Sequence, residues 1–421
     1  MDSSGDSVPE RGLPLAGVRV LDLTHAVAGS YTAMILGDLG AEIIKVEKPV
    51  KGDMIRALGE ELHGTGLSDY YVSVNRNKRS VALDMRTPEA VRILTDIARV
   101  SDVVIQNLKP GSLEKLGLGY AALKEVNPDL VYCSITGYGP VGPLHGETAS
   151  DVNIQAATGL MATTGEIGGA PLRIGTPIVD ISTGLYAYGA IVTALLDRDR
   201  TGAGGQHLEI PMYEVGFSIM ANLVPAVATL GRVIPRGGRG HPQIVPYETF
   251  RCRDGIHAMV GAFSQPIWHG LCRAIESPEL ITDPRFETNE VRLKHRQELS
   301  EFLAKVFVRR DFDEWAERLG AEGVSFSQVL EVHQALATEQ AAASGIAVPV
   351  DLGEGRMTYV VKDPIHSDSW PGLRYEAPPV LGSDGPDVLA GLLGMDAEEI
   401  RRLVEAGVLE VPYSAPSPAG R

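Results

Sequence analysis

Short apolar runs alternate with amphipathic stretches from residue 15 to residue 135, and this alternation constrains the fold more than any other feature of the chain. Apolar residues at helical spacing indicate helices, and apolar residues that run together between turn residues indicate strands. Alternation at this length is typical of a parallel sheet covered by helices on both faces. The sequence therefore predicts an α/β fold with a doubly wound, mostly parallel, Rossmann-like sheet. Its strands are predicted at residues 15–23, 41–46, 80–84, 102–106, 130–135 and 206–210.

The pattern changes after residue 211. A helix is predicted at residues 213–230, and a basic, glycine-rich linker then leads to two apolar runs joined by Asp254 and Gly255. An Asp-Gly pair between such runs strongly favours a β-hairpin, so a second, smaller α+β domain is expected. The predicted parts are a large α/β domain at 1–225, a linker and small α+β domain at 226–340, and a return to the large domain at 341–421.

The last part of the chain carries its own predictions. Short strands are predicted at residues 361–381 and two helices at 385–409. The Pro/Ser-rich tail at 413–421 is predicted to be loose, because termini without apolar anchors are commonly unordered.

The charge of the chain limits its partners. The formal net charge is -16, from 38 basic and 54 acidic residues, and so acidic a chain would repel nucleic acid. No apolar run approaches the roughly 20 residues that cross a membrane. We therefore expect neither nucleic acid nor a membrane as a partner, and local basic residues must hold any anionic ligand.

Cysteine usage indicates the compartment. Cys133, Cys252 and Cys272 are too few and too widely spaced for a disulfide framework or a structural zinc site. Residues 1–10 are polar and acidic, without the basic and apolar segments of a signal peptide. The sequence therefore predicts a cytoplasmic protein without a metal site.

A nicotinamide cofactor is disfavoured. Such a cofactor would require Gly-x-Gly-x-x-Gly after the first strand, and residues 24–29 do not have this pattern. The glycine-rich residues 202–205 follow a predicted helix and precede a strand, so they are interpreted as a helix C-terminal turn. A dehydrogenase is therefore a poor interpretation of the sheet.

Asp180 is the most informative single residue. It ends an apolar run, and a helix rich in small residues is predicted to start directly after it. A carboxylate at a helix N-terminus is expected to be ionised at neutral pH, and it could attack a carbonyl carbon without a base. The free N–H groups there could also stabilise an oxyanion. For a lone aspartate the ordinary interpretation is an N-cap, and the residue alone leaves both interpretations open.

Seven segments spaced along nearly the whole chain resemble the family III CoA-transferases, the group that includes formyl-CoA transferase, carnitine CoA-transferases and α-methylacyl-CoA racemase. The resemblance implies a large Rossmann-like domain, a smaller α+β domain, and a dimer of two interlocked chains. The segments are residues 15–24, 36–47, 75–80, 106–111, 175–191, 200–202 and 379–382.

The resemblance implies that Asp180 is the nucleophile. In the family, the matching aspartate attacks the donor thioester and forms a mixed anhydride, which CoA thiolate converts to an aspartyl-CoA thioester. The acceptor acid then reverses the sequence. CoA thioester is thus implied as a substrate, and no tightly bound cofactor is expected.

The resemblance also implies CoA-binding residues. Lys48, Arg76 and Lys78 match family positions near the nucleotide, and the resemblance favours this role over a solvated turn at Arg76 to Arg79. The segment with His25, Val27 and Ala28 matches the part that passes the thioester, and His25 by itself is more often structural than catalytic. The remaining implied CoA contacts are Asn107, Lys115 and Tyr138.

Two departures favour some activities over others. Family racemases carry a His-Asp pair where this chain has Ser150 and Asp151, and serine cannot act as a base near neutral pH. A transferase is therefore favoured over a racemase. Residues 261–265 lack the glycine run of formyl-CoA transferases, which argues against oxalate and formate as substrates.

The nearest resemblance is to family members that move CoA from succinyl-CoA to dicarboxylic acids. It rests on residues 70–80, 132–139, 183–191 and 244–250. An arginine would suit a second substrate carboxylate, and the candidates are Arg56, Arg173 and Arg239. A racemase and one subunit of a heteromeric transferase remain the alternatives to a homodimeric transferase.

Overall fold

A computed structural model describes residues 12–412. Residues 1–10, from which the absence of a signal peptide was inferred, and the tail at 413–421 lie outside the described residues. The strands are β1 (Arg19–Leu23), β2 (Glu42–Glu47), β3 (Lys78–Leu83), β4 (Val103–Gln106), β5 (Val131–Thr136), β6 (His207–Pro211), β7 (Tyr247–Arg251), β8 (His257–Gly261), β9 (Ser325–Gln328), β10 (Ala347–Asp351), β11 (Met357–Val361) and β12 (Leu409–Glu410). The α-helices are α1 (Ala28–Asp38), α2 (Asp69–Val74), α3 (Pro88–Arg99), α4 (Ser112–Lys115), α5 (Tyr120–Val126), α6 (Asp151–Ala157), α7 (Leu160–Thr163), α8 (Ile178–Thr201), α9 (Met212–Ser218), α10 (Val224–Leu230), α11 (Gln265–Ala274), α12 (Asn289–Lys294), α13 (Arg296–Phe307), α14 (Phe312–Ala321), α15 (Val332–Leu336), α16 (Glu339–Ser344), α17 (Gly385–Leu393) and α18 (Ala397–Glu405).

Seven strands form the main sheet, in the order β12-β3-β2-β1-β4-β5-β6. The neighbours from β3 to β6 are all parallel, and only β12 at the edge is antiparallel. The prediction of a mostly parallel α/β sheet is confirmed. The strand order reverses between β1 and β4, and in sheets of this kind ligands bind at the carboxyl ends of the strands beside such a reversal.

The central strands are buried along their length, as the consecutive apolar residues of β4 and β5 require. One sheet face is covered by α3, whose Ala90, Ile93, Leu94 and Ile97 are fully buried at helical spacing. The Thr87 hydroxyl caps this helix by accepting a hydrogen bond from the amide of Ala90. Local capping and the apolar stripe thus agree on where α3 begins and which side it buries.

The described residues divide into two compact units. One contains the chain up to Thr158, Gly175–Pro225 and the part after Gly345, and the other contains Gly159–Ile174 and Ala226–Ser344. Residues 159–174, which the sequence pattern assigns to the large domain, belong to the second unit.

The second unit has its own core around a three-stranded sheet of β7, β8 and β9. Its first two strands form the antiparallel hairpin that Asp254 and Gly255 predict. The rings of Phe250 and Phe307 stack 4.9 Å apart, and the indole of Trp315 donates a hydrogen bond to the Phe307 carbonyl.

Two element predictions are wrong. The helix predicted at residues 213–230 is split into α9 and α10, and Pro225 explains the break because proline cannot donate the hydrogen bond of a continuing helix. The strands predicted at 361–381 are absent from the described residues. That segment contains four prolines, which cannot pair in a ladder, and the hairpin lies before it, in β10 and β11.

Helix α8 has 24 residues and is longer than the sequence suggests. By length and composition alone it could cross a membrane, with a mean hydropathy of 1.4. However, it packs against α1, α6, α9, β5 and β6, and Val179, Thr183, Ala187 and Ile191 on it are buried. One face of α8 is therefore packed inside its compact unit.

Candidate active site

Asp180 lies within the first turn of α8 rather than before it. The helix starts at Ile178, and Pro177 occupies the N-cap position without a side-chain hydrogen bond. Asp151 provides the cap instead: its Oδ1 accepts hydrogen bonds from the amides of Val179 at 2.8 Å and Asp180 at 3.1 Å. The N-cap interpretation of Asp180 is therefore wrong, and its carboxyl group is left for another role.

The start of α8 offers no free amide for an oxyanion. The Ile178 N–H donates to the Thr176 carbonyl at 2.8 Å, and Asp151 accepts from Val179 and Asp180. All three donors of the first turn are thus engaged. The suggestion that these groups stabilise an oxyanion is not supported by the structure.

Asp151 contacts the backbone of Asp180, and the sequence did not reveal this contact. It is buried at the first position of α6, and its second oxygen accepts a 2.6 Å hydrogen bond from the Gln155 side chain. The preceding Ser150 makes no side-chain cap. An acidic residue in the first turn of a helix is a common local pattern, so nothing local indicates that Asp151 serves a helix 28 residues away.

Burial and the neighbouring carboxylate change the ionisation of Asp180. Removal from water and the like charge of Asp151 raise the pKa of Asp180 from 3.8 to about 7. The expectation that Asp180 is fully ionised at neutral pH is corrected, because a pKa of about 7 leaves part of the population protonated there.

The beginning of α1 contacts α8 at Gly184, one turn beyond Asp180. Gly184, one turn further along α8 on the same face as Asp180, has its carbonyl hydrogen-bonded to the Thr32 hydroxyl at 3.2 Å. A Cβ at Gly184 would lie 2.9 Å from the Ala28 carbonyl oxygen. Ala28 starts α1 and Val27 precedes it, so this segment lies about one helical turn along α8 from Asp180.

The close approach at Gly184 predicts that a larger residue there destabilises the protein. Gly184→Ala would push a methyl group against the Ala28 carbonyl oxygen and the Tyr31 ring, so we expect the free energy of unfolding to fall by about 1–3 kcal/mol and activity to fall with it. Gly189→Ala is the matched control, because no atom lies within 4 Å of its Cβ position. Alanine there should be neutral or stabilise α8 by up to about 1 kcal/mol. Denaturant unfolding of both variants checks this, and equal stabilities would contradict it.

His25 and Asn107 meet at the strand-order reversal. The Asn107 side chain accepts a 2.9 Å hydrogen bond from the His25 amide and donates one of 2.8 Å to the His25 carbonyl. Ala26 has a φ of 58°, and its amide donates to Asp53 at 3.0 Å. Burial lowers the pKa of the His25 imidazole, so the ring is neutral at pH 7. These contacts fix the loop after β1 and indicate a structural role for the Asn107 amide.

A cavity of about 450 Å³ opens at this carboxyl edge, between the ends of β1 and β2. Lys48 is exposed at its rim, and no carboxylate among residues 12–412 forms an ion pair with it. Apolar side chains form much of the remaining wall. The lining residues are Leu23, Thr24, His25, Val46, Glu47, Lys48, Gly52, Asp53, Met54, Met85 and Leu108.

Arg76 and Lys78 lie in the interior instead of at this edge. The Arg76 guanidinium forms two hydrogen bonds with Asp38, at 2.8 and 2.5 Å, and its side chain is 3% exposed. The Lys78 ammonium is fully buried, 3.1 Å from Asp22. Both the phosphate-ligand interpretation and the solvated-turn interpretation of these cations are therefore corrected: they are internal ion pairs.

The arginines considered for a substrate carboxylate are mostly engaged. Arg56 binds Glu47 through two hydrogen bonds of 2.7 Å. Arg239 and Arg173 belong to the second unit, and Arg239 lies 3.9 Å from Glu248. Arg173 donates to the Ile174 carbonyl at 3.2 Å. These contacts do not identify one of the three arginines as the partner of a second substrate carboxylate.

Lys115 and Tyr138 follow β4 and β5, on the same edge of the sheet. Lys115 is exposed at the end of α4. Tyr138 is half-buried, with its ring centroid 5.6 Å from that of Tyr213. Neither residue lines the cavity that holds His25 and Lys48.

The cysteines and potential metal ligands offer no competing site. Cys133, Cys252 and Cys272 are free and buried, and burial raises the pKa of the Cys133 thiol to about 12. A thiol that stays protonated at neutral pH is a poor nucleophile and metal ligand. Across residues 12–412, no three His, Cys, Asp or Glu side chains are grouped to hold a metal ion.

Comparisons with known proteins agree along the whole chain. A family model described as CoA-transferase family III matches residues 15–385. Human succinyl-CoA:glutarate CoA-transferase is 34% identical over 397 residues, which covers 94% of this chain and 90% of the human protein. Succinate–glutarate CoA-transferase of Agrobacterium fabrum is 35% identical over 392 residues, covering 91% of this chain and 97% of that protein.

A solved structure shows the same fold. A CAIB/BAIF family protein from Brucella suis superposes with a TM-score of 0.81 at 33% sequence identity. The match covers 91% of this chain and all of that chain. The similarity therefore extends well beyond the segments around Asp180.

Proposed function

The chain belongs to CoA-transferase family III, and we propose that it moves CoA from succinyl-CoA to a dicarboxylic acid through Asp180. The substrates rest on the names of relatives that align over more than nine-tenths of the chain. The mechanism rests on one observation: Asp180 is held in the first turn of α8 by a cap from Asp151 that leaves its own carboxyl group unused.

The covalent steps balance in charge and atoms. A carboxylate oxygen of Asp180 bonds to the thioester carbonyl carbon, the carbon–sulfur bond breaks, and CoA leaves as a thiolate. The thiolate then attacks the aspartyl carbonyl carbon of the mixed anhydride, so the donor acid leaves as its carboxylate and Asp180 carries the CoA thioester. An acceptor carboxylate repeats the two steps in reverse. The energy of the thioester is kept in activated acyl bonds throughout.

The developing oxyanion needs donors other than those of α8. In the described part of the chain, no hydrogen bond occupies the amides of residues 28–30 at the start of α1. This turn lies beside Gly184, one turn from Asp180. Its unpaired N–H groups and the positive end of the α1 dipole would suit an oxyanion.

The cavity at the carboxyl edge is the proposed CoA site. Its apolar walls suit the pantetheine chain, and the exposed Lys48 suits a phosphate. His25, Val27, Ala28 and the Asn107 loop remain part of this proposal. Lys115 and Tyr138 stay proposed contacts for parts of CoA that extend beyond the cavity.

The interlocked dimer is also part of the proposal. Several large apolar side chains are exposed in the single chain, among them Val233 at 90% and Val332 at 78%, and a partner chain would cover such surfaces. The free, buried cysteines suit a reducing compartment, so a cytoplasmic location is proposed with it.

The ionisation of Asp180 predicts a pH profile. The attacking form is the carboxylate, and its pKa is about 7, so kcat/KM should rise about tenfold per pH unit below 7 and level off above it. Steady-state transfer from succinyl-CoA between pH 5 and 9 measures this. The dissociation constant of CoA over the same range separates binding from chemistry, and a flat profile would refute the assignment.

Trapping the acylated aspartate tests the proposal. The protein is incubated with succinyl-CoA and quenched with hydroxylamine, which converts an activated aspartyl carbonyl to a stable hydroxamate. A hydroxamate on the Asp180 peptide is expected. An unmodified Asp180 in protein that binds CoA would overturn the proposal. Exchange of the α-proton with deuterated water would then identify a racemase, and activity restored by a second, related chain would identify a heteromeric transferase.

A further inference from the structure

We propose that Asp151 is a positioning residue that fixes the backbone of Asp180 and, through its negative charge, favours the uncharged acyl forms of Asp180 over the free carboxylate. The inference rests on the proposed function, because it concerns the equilibrium between those forms. It assigns a role to a residue that forms no covalent bond in the proposed reaction.

The geometry places this charge directly at the nucleophile. One oxygen of Asp151 is bonded to the amides of Val179 and Asp180, and the other to Gln155. Asp151 is 8% exposed and Gln155 is fully buried. Asp180 is half-buried, so solvent screens the interaction between the two carboxylates only in part.

No cation offsets the pair. Within residues 12–412, neither Asp151 nor Asp180 forms an ion pair with a lysine, arginine or histidine. Burial and the charge of Asp151 are the two causes of the raised pKa of Asp180. The other titratable groups on the elements packed against α8 are not among these causes. Those groups are Tyr31 and Asp38 of α1, Tyr132 and Cys133 of β5, His207 and Glu209 of β6, and Tyr213 and Glu214 of α9.

The charge balance of the reaction gives Asp151 its effect. When Asp180 becomes an aspartyl-CoA thioester, its negative charge leaves the protein on the released donor acid. Repulsion from Asp151 acts on the free carboxylate but not on the neutral thioester. Protonation removes the same charge, so Asp151 must favour acylation and protonation of Asp180 by about the same factor.

Asp151→Asn tests this equality. Asparagine keeps an oxygen for the amides of Val179 and Asp180 but removes the charge. We expect the pKa of the kcat/KM profile to fall by about one unit or more. The acylation constant should fall by the matching factor, about tenfold per unit. The acylation constant is the ratio of succinate to succinyl-CoA concentrations at which half of the protein yields hydroxamate at Asp180. It is measured at pH 9, where the unacylated Asp180 is mostly in its carboxylate form.

Control variants separate charge from structure. Asp197→Asn removes an equal charge from an exposed position on the same helix and should leave both quantities unchanged. Asp151→Glu keeps the charge and should keep both quantities within about threefold of wild type. If Asp151→Asn does not fold, Asp151→Ser, whose hydroxyl still accepts a hydrogen bond, must show the same paired shifts.

The outcomes are distinguishable. An unchanged acylation constant, or one that falls without a matching fall in the pKa of the profile, would overturn the inference while leaving the proposed function intact. Wild-type protein that gives no hydroxamate would overturn the proposed function and this inference together. Equal shifts in both quantities, absent from the Asp197 variant, would establish the role of Asp151.

Discussion

Asp180→Asn should abolish CoA transfer, with kcat reduced by at least roughly a thousandfold. The amide cannot attack a thioester or carry the anhydride and thioester intermediates, so the covalent route is lost. Transfer from succinyl-CoA to glutarate, followed by the appearance of glutaryl-CoA, measures the loss. The choice of glutarate follows the names of the relatives that align over nearly the full chain.

The stability of the same variant shows whether it is folded when transfer is lost. A half-buried aspartate whose pKa is raised from 3.8 to about 7 lowers stability as pH rises through that window, because the unfolded chain ionises first. Asp180→Asn removes this penalty. The variant should equal wild type in stability below pH 4 and exceed it at pH 8 by on the order of 1 kcal/mol. CoA affinity should persist, and residual transfer above one-hundredth of wild type in such a folded variant would exclude Asp180 as the nucleophile.

The sequence predicts the sheet well because its strands are continuous apolar runs. β2, β4 and β5 each begin and end within one residue of their predicted bounds, since burial on both faces leaves an unmistakable pattern. The place of Asp180 near a helix start was equally visible. These are local signals, read over a few residues.

Contacts between distant segments could not be predicted in the same way. Asp38 is 38 residues from Arg76, and Asp22 is 56 residues from Lys78. A charged residue is ordinarily exposed, so without knowledge of these partners Arg76 and Lys78 were interpreted as surface cations. Asp151 was considered only as half of an incomplete racemase pair, for the same reason.

The buried charges around the parallel strands of the main sheet form a balanced set. Lys45 illustrates their role: it lies 3.1 Å from Asp53 and donates to the Thr24 carbonyl, while Asp53 holds the Ala26 amide. Such pairs specify one geometry for the loop after β1 at a cost in desolvation. The carboxylates are Asp22, Asp38, Glu47 and Asp53, and the cations are Lys45, Arg56, Arg76 and Lys78.

Among these buried cations, we expect the replacement of Arg76 by alanine to be the most destabilising substitution. It leaves the buried Asp38 without its bidentate partner, and removal of one member of a buried pair costs about 3–5 kcal/mol. Denaturant unfolding measures the loss. The double variant Arg76→Ala with Asp38→Asn should recover about 1–3 kcal/mol, because no unpaired charge remains in the interior.

Lys48→Ala is the matched control, since Lys48 is exposed and lies at the rim of the proposed CoA cavity. Its stability should stay within about 0.5 kcal/mol of wild type, while KM for succinyl-CoA rises and becomes less sensitive to salt as a phosphate contact is lost. The opposite pattern, a stable Arg76→Ala protein with a raised KM, would return Arg76 to the nucleotide site. A cation with 3% of its side chain exposed can reach a phosphate only if the fold opens around it, and that opening would appear as a loss of stability first.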